Sequence, residues 1–233
     1  MKTLLVGFGD SWTIGAELPD PPNQNWVVQV ASKLSADYVN LGTSGTGVEH
    51  LMVQLFKFLK LKPHYSDYKI IFMVGLSGAN RYLSYSNERK EFISITPNAC
   101  YRTSNIDVYG RPPEVANDFI NVSYNMYTLV DCAEYNNFIA AKTVFAIQQY
   151  CKNNNIDCIF FSFWEAPDFV GYPIDTNYVC EAPMTKLLAN LPIGEEILNH
   201  PYFVGNMFHP NLAGQTRMSE IIYDYYVSTY PGN

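Results

Sequence analysis

The segment Lys69–Leu76, KIIFMVGL, constrains the fold more than any other stretch of the chain. A run so short and so apolar reads as a strand buried on both faces. Such strands belong to parallel sheets covered by helices on either side. Ile156–Phe163, IDCIFFSF, is a second strand of this kind. Thr3–Phe8 and Asp37–Leu41 are shorter apolar runs, each closed by glycine. Helical spacing fills the intervals. Val27, Val30, Ala31 and Leu34 share one face, and Val48, Leu51, Met52, Leu55, Phe58 and Leu59 continue the period for three turns. Further on, Ala133–Tyr150 reads as a helix through Phe138, Ala141 and Phe145. Met184, Leu187, Leu188 and Leu191 make a short helix that Pro192 ends, and Met218, Ile221, Ile222 and Tyr225 mark a last one with Asn211 as its N-cap. This alternation predicts one α/β domain over residues 1–233. In such folds chemistry gathers at the carboxyl ends of the strands, here the loops after Phe8, Leu41, Leu76 and Phe163.

Composition narrows the function. With 48% hydrophobic and 16% charged residues the chain has material for a large core, which excludes disorder. Fifteen basic residues stand against 22 acidic ones, a net charge of −7, and the isoelectric point is near 5.0. That balance gives no basic footprint for nucleic acid or an anionic membrane surface. No apolar run approaches the roughly 20 residues of a transmembrane helix. Residues 1–7 carry a single Lys and too few apolar residues for a secretory leader. The five cysteines, Cys100, Cys132, Cys151, Cys158 and Cys180, are odd in number and include no CxxC. Both features fit reduced thiols and a cytoplasmic location, with a virion component still open.

One segment breaks the rhythm. Residues 84–130 are polar, rich in Asn, Tyr and Ser, and contain Pro97, Pro112 and Pro113. Compact domains rarely hold so long a stretch without structure of its own. It is either a decorative insertion or a substrate wall or lid, where Tyr101, Tyr109, Tyr124 and Tyr127 would stack on a sugar or apolar ligand.

The chemistry-bearing residues follow the strands in order. Gly7-Phe8-Gly9-Asp10-Ser11-Trp12 is no dinucleotide fingerprint, because Trp12 stands where a third glycine is needed and Asn40 and Leu41 end the second strand without an acid. What remains is a serine exposed by small residues on a strand-to-helix turn. Serine becomes a nucleophile only beside a base and with donors for an oxyanion; otherwise Ser11 merely caps a turn. The glycines of Asn40-Leu41-Gly42-Thr43-Ser44-Gly45-Thr46-Gly47 let backbone amides approach a substrate. Ser77-Gly78-Ala79-Asn80 brings a side-chain amide, and Asn206-Met207-Phe208-His209-Pro210-Asn211 brings a base whose ordinary pKa lies near neutrality.

Together these blocks resemble the SGNH (GDSL-like) hydrolases: Gly9-Asp10-Ser11, Asn-x-Gly-x-Ser-Gly at 40–45, Gly-x-Asn at 78–80 and His-Pro-Asn at 209–211. The resemblance spans nearly the whole chain. It implies a flavodoxin-like three-layer α/β/α sandwich around a parallel sheet of about five strands, with 84–130 as the insertion. Ser11 would be the nucleophile, and its own amide, Gly45 and Asn80 the oxyanion donors, with Gly42 as a substitute for Gly45. His209 would be the base. Trp12 and Arg81 are expected beside the substrate.

Two positions depart from the family pattern. Asn206 stands where an aspartate three residues before the histidine is usual, and Arg81 follows Asn80 where an aspartate is usual. An anionic partner orients the imidazole and stabilises the imidazolium. Either Asn206 orients His209 through its carbonyl oxygen, or another carboxylate such as Glu165 or Asp168 replaces it, or the chain is a weakened relative. The remaining signals are weaker. His50 reads as a partly exposed helix residue, Asn121-Val122-Ser123 as an idle glycosylation acceptor, and Glu195-Glu196 as a solvated helix start. The histidines lack companion cysteines for zinc. The resemblance implies a serine esterase acting on small or carbohydrate O-acyl esters, without metal or organic cofactor. Its rivals are a catalytically inactive glycan-binding or structural protein and an O-acyltransferase using the same serine.

Overall fold

The computed structural model describes residues 1–86, 90–95, 132–189, 200–204 and 209–232. Its centre is a parallel sheet built from β1 (Lys2–Phe8), β2 (Asp37–Asn40), β3 (Tyr68–Leu76) and β6 (Asp157–Ser162), in the order β2-β1-β3-β6. Leu5 of β1 lies opposite Ile71 of β3, and Met73 of β3 opposite Ile159 of β6.

Alternation along the strands sends side chains to two separate cores. Leu4, Val6, Phe8, Phe72, Val74 and Phe160 enter one. Leu5, Ile71, Met73, Ile159 and Phe161 enter the other. The first core is covered by α4 (His50–Leu61) and α5 (Ala133–Asn153), which contribute Leu51, Leu55, Phe58, Val144 and Ile147. The second lies under α3 (Trp26–Lys33), α6 (Met184–Ala189) and α7 (Leu212–Thr229). Three layers result because neither face of the sheet can be left to water. Each fully buried Phe or Leu contributes about 1.5–3 kcal/mol through burial. Ring packing adds direction, as where Phe58 meets Phe72 edge-on at 5.1 Å between centroids.

About five strands were expected, and four form the sheet among the described residues. Beyond β6, Val179 makes one parallel bridge to Phe160, and the Cys180 amide donates to the Phe160 carbonyl at 2.8 Å. A 3₁₀ turn at Thr176–Tyr178 precedes this contact and Pro183 follows it closely, so the pairing cannot lengthen.

Two small antiparallel pairs stand outside the sheet. β4 (Tyr82–Ser86) and β5 (Glu91–Ile95) form a hairpin, which opens the polar segment; residues 96–131, with Tyr101, Tyr109, Tyr124 and Tyr127, lie outside the described residues. β7 (Phe203–Val204) pairs with β8 (His209–Pro210), placing Val204 opposite His209. Among the described residues, no helix is long and apolar enough to cross a membrane.

Candidate active site

The first strand ends in a turn that its own backbone and two distant amides hold. Gly9 has φ of +147°, and a Cβ there would collide with the Thr13 hydroxyl and stand 3.2 Å from the Gly75 carbonyl. Only glycine fits this conformation and this space. Asp10 is the N-cap of the short helix α1 (Ser11–Ile14), its Oδ1 accepting from the Trp12 amide at 2.9 Å. Ser11 therefore begins a helix, and its amide has no partner within that helix. The Ser11 hydroxyl makes no hydrogen bond among the described residues, and the residue is 6% exposed.

The glycine loop is tied to this turn from the other side. Thr43 donates its amide to the Gly9 carbonyl at 3.0 Å, and Asn40 Nδ2 donates to the Thr13 carbonyl at 2.7 Å. Asn40 Oδ1 accepts from the Gly42 amide at 3.0 Å, so that amide is occupied and Gly42 does not serve as the substitute donor. Gly45 differs. Its φ is +73°, nothing lies within 4 Å of where its Cβ would be, and its amide makes no hydrogen bond among the described residues.

Thr46 joins the second loop to the third. Its carbonyl accepts from Ser77 Oγ at 2.8 Å and from Arg81 Nη1 at 3.2 Å. Arg81 Nη1 also reaches Asp10 Oδ2 at 3.3 Å. Asn80, half-buried beside them, rests its side-chain carbonyl against Gly78, where an added Cβ would stand 2.8 Å away. Burial of Asp10 pushes its carboxyl above the ordinary carboxylate range, and the charge of Arg81 draws it partly back.

His209 arrives from the carboxyl end. β8 packs against α1, and α7 locks the arrangement: Gln215 Nε2 donates to the Trp12 carbonyl at 3.0 Å while its Oε1 accepts from the Trp26 amide at 2.8 Å. Asn211 caps α7, as its position in the sequence indicated, by accepting from the Gly214 amide at 3.0 Å. The His209 imidazole is close enough to Asp10 to lower its carboxyl somewhat. Its Nδ1 is sealed from solvent, with Glu17 Oε2 at 3.1 Å. The carboxylate lies off the N–H direction, so the contact is short without being an aligned hydrogen bond.

Several expectations change. Trp12, expected beside substrate, is 1% exposed and packs on Phe163, Trp164 and Phe203 as part of the core, because its place in α1 turns it under the sheet end. Arg81 is half-buried against Asp10 and the Thr46 carbonyl. His50 is 2% exposed, not partly exposed, and neither ring nitrogen finds a partner; burial lowers its pKa to about 4. Asp168 is anchored to α5, its amide donating to Asn137 Oδ1 at 3.1 Å, and Glu165 is exposed without an ion pair among the described residues. Neither is the carboxylate beside His209. Asn206 and Glu195-Glu196 lie outside the described residues. Glu17 follows the serine helix by three residues, and nothing local in the sequence marks it as a neighbour of His209. Among the described residues no group of three or more His, Cys, Asp or Glu is arranged to hold a metal.

No family model matches the chain, and no curated protein matches it. Solved structures do. A carbohydrate esterase family 2 enzyme with a carbohydrate-binding domain, from Corynascus thermopiles (Myceliophthora fergusii), is 15% identical with a TM-score of 0.50, over 98% of this chain and 67% of that one. A psychrotrophic esterase from Pseudoalteromonas sp. is 10% identical with a TM-score of 0.48, over 98% and 96%. A lipolytic protein of the G-D-S-L family from Veillonella parvula is 13% identical with a TM-score of 0.40, over 99% and 100%. With its parallel sheet, its helices on both faces and its serine turn at the carboxyl end of β1, the chain has the α/β fold of the SGNH, or GDSL-like, hydrolases.

Proposed function

We propose that this chain is a serine esterase that hydrolyses small O-acyl esters, acetylated carbohydrate being the preferred class. The observation that carries the reading is the joining of four loops at one end of the sheet. The Gly9–Ser11 turn, the Gly42–Gly47 loop, the Ser77–Arg81 loop and the His209 segment are bonded to or packed on one another there. The fold shared with a carbohydrate esterase supports the reaction class.

In this mechanism His209 takes the proton of Ser11 Oγ as the oxygen attacks the ester carbonyl carbon. The carbonyl π bond becomes an oxyanion, which accepts from the amides of Ser11 and Gly45 and from the side-chain amide of Asn80. Collapse expels the alcohol, which takes its proton from the imidazolium. Water then attacks the acyl-serine, losing a proton to His209, and the second collapse returns Ser11 and releases the carboxylic acid. The tyrosines and amides of the segment 84–130 suit a sugar more than a long acyl chain.

The test is turnover of p-nitrophenyl acetate and of an acetylated oligosaccharide by the wild-type chain and by Ser11→Ala. Wild-type turnover that vanishes in Ser11→Ala supports the reading. Equal rates in the two proteins remove Ser11 from the mechanism. Release faster in added alcohol than in water, with ester formed to that alcohol, reassigns the chain as an acyltransferase.

A further inference from the structure

We infer that Glu17 is the positioning carboxylate of His209, supplied from the turn after the serine helix rather than from the segment before the histidine. The inference rests on the esterase reading and names a residue outside it. Glu17 Oε2 stands 3.1 Å from His209 Nδ1. That nitrogen is sealed from water and has no hydrogen-bond partner among the described residues, so the Glu17 carboxylate is the group in place to steady it. The side chains are 12% exposed for His209 and 37% for Glu17, so the contact is buried on the histidine side and open to water on the carboxylate side. Catalytic contacts of this kind often tighten into aligned hydrogen bonds only when substrate binds.

The backbone supports the same assignment. Glu17 has φ of +68°, a left-handed conformation that a non-glycine residue adopts at a cost. The turn that imposes it is closely specified. Ala16 and Gly15 both donate to the Ser11 carbonyl, Leu18 donates to the Gly15 carbonyl at 3.1 Å, and the Leu18 side chain is buried. Glycine would fit this position without strain, yet the chain carries the acid that meets His209. The serine helix and the turn that follows it thus bear both Ser11 and Glu17, and β8, which carries His209, packs against that helix. Among the described residues Asp10 also feels the imidazole, and it is already engaged by the Trp12 amide and Arg81.

The experiment compares wild type, Glu17→Gln, Glu17→Asp and Glu17→Gly by kcat and KM on p-nitrophenyl acetate, with Ser11→Ala alongside. Glu17→Gln is expected to lower kcat about 10- to 100-fold with KM little changed. That is below the ~10⁴-fold loss where the partner acid is fully buried, since Glu17 is partly solvated. Glu17→Asp recovers part of the rate. Glu17→Gly raises the melting temperature while lowering kcat, opposite signs that a purely structural ion pair would not give. Wild-type kcat in Glu17→Gln, with Ser11→Ala inactive, overturns this inference and leaves the esterase reading standing. Ser11→Ala retaining turnover, or a wild-type chain with none, overturns both.

Discussion

The side-chain amide of Gln54 grips the backbone of Gly9 at both ends. Its Oε1 accepts from the Gly9 amide at 2.9 Å and its Nε2 donates to the Gly9 carbonyl at 2.7 Å. Gln54 is wholly buried in α4, so the helix that covers one core also fixes the turn before Ser11. Gln54→Leu keeps the volume and removes both bonds. The Gly9 carbonyl retains the Thr43 amide, but the Gly9 N–H is orphaned. A loss of about 1–3 kcal/mol in urea unfolding is expected, with a fall in esterase kcat because the serine turn loosens.

Two glycines of the second loop separate stability from catalysis. A Cβ on Gly42 would meet Thr13 and Ile14 at 2.8–2.9 Å, whereas one on Gly45 meets nothing within 4 Å. Gly42→Ala should therefore lower the melting temperature. Gly45→Ala costs about 1 kcal/mol of backbone strain at its φ of +73° and moves the proposed oxyanion amide. Thermal unfolding and kcat on the same preparations check the contrast: Gly42→Ala loses mainly stability, Gly45→Ala mainly rate.

Arg81 offsets the buried charge of Asp10. Burial raises the Asp10 carboxyl, so its folded pKa lies above its unfolded value. A group shifted this way contributes most to stability below the unfolded pKa, and that contribution is lost as pH rises through the folded one. Removing the cation enlarges the loss. Arg81→Met should consequently cost more near neutral pH than under acid conditions, where Asp10 is protonated in both proteins. Denaturant titrations of both proteins across that range measure it.

His50 gives the opposite slope. Its pKa falls from 6.5 unfolded to about 4 folded through burial. Between those values the unfolded chain binds the extra proton, so stability rises with pH across the window and is lost as pH falls through it. The full difference is about 3 kcal/mol. His50→Leu removes this part of the acid destabilisation, read as a flatter profile of unfolding free energy against pH.

The layered fold was legible because periodicity reports burial. KIIFMVGL fills β3 and the IDCIFFSF segment yields β6, both inside apolar layers, and Asn211 caps α7 where its position before an apolar-periodic helix indicated. The four loops that hold the candidate site were legible for the same reason, since strand ends fix where loops begin. What escaped depends on contacts between distant segments. Trp12 looks like a cleft residue until Phe163 and Phe203 close over it. His50 reads as partly exposed beside Glu49 until its helix start is packed away. Glu17 meets His209 only because a non-glycine residue takes a left-handed turn, which no local pattern announces.

The central claim is that Ser11 is an activated nucleophile served by His209. A fluorophosphonate probe reads this without knowledge of the natural substrate, since the serine oxygen displaces fluoride and keeps the phosphonyl group. Peptide mass mapping of the labelled wild-type chain should place the adduct on Ser11, with labelling slowed at least about 100-fold in His209→Ala. An unlabelled Ser11 in folded wild-type protein, or equal labelling rates with and without the imidazole, would contradict the account.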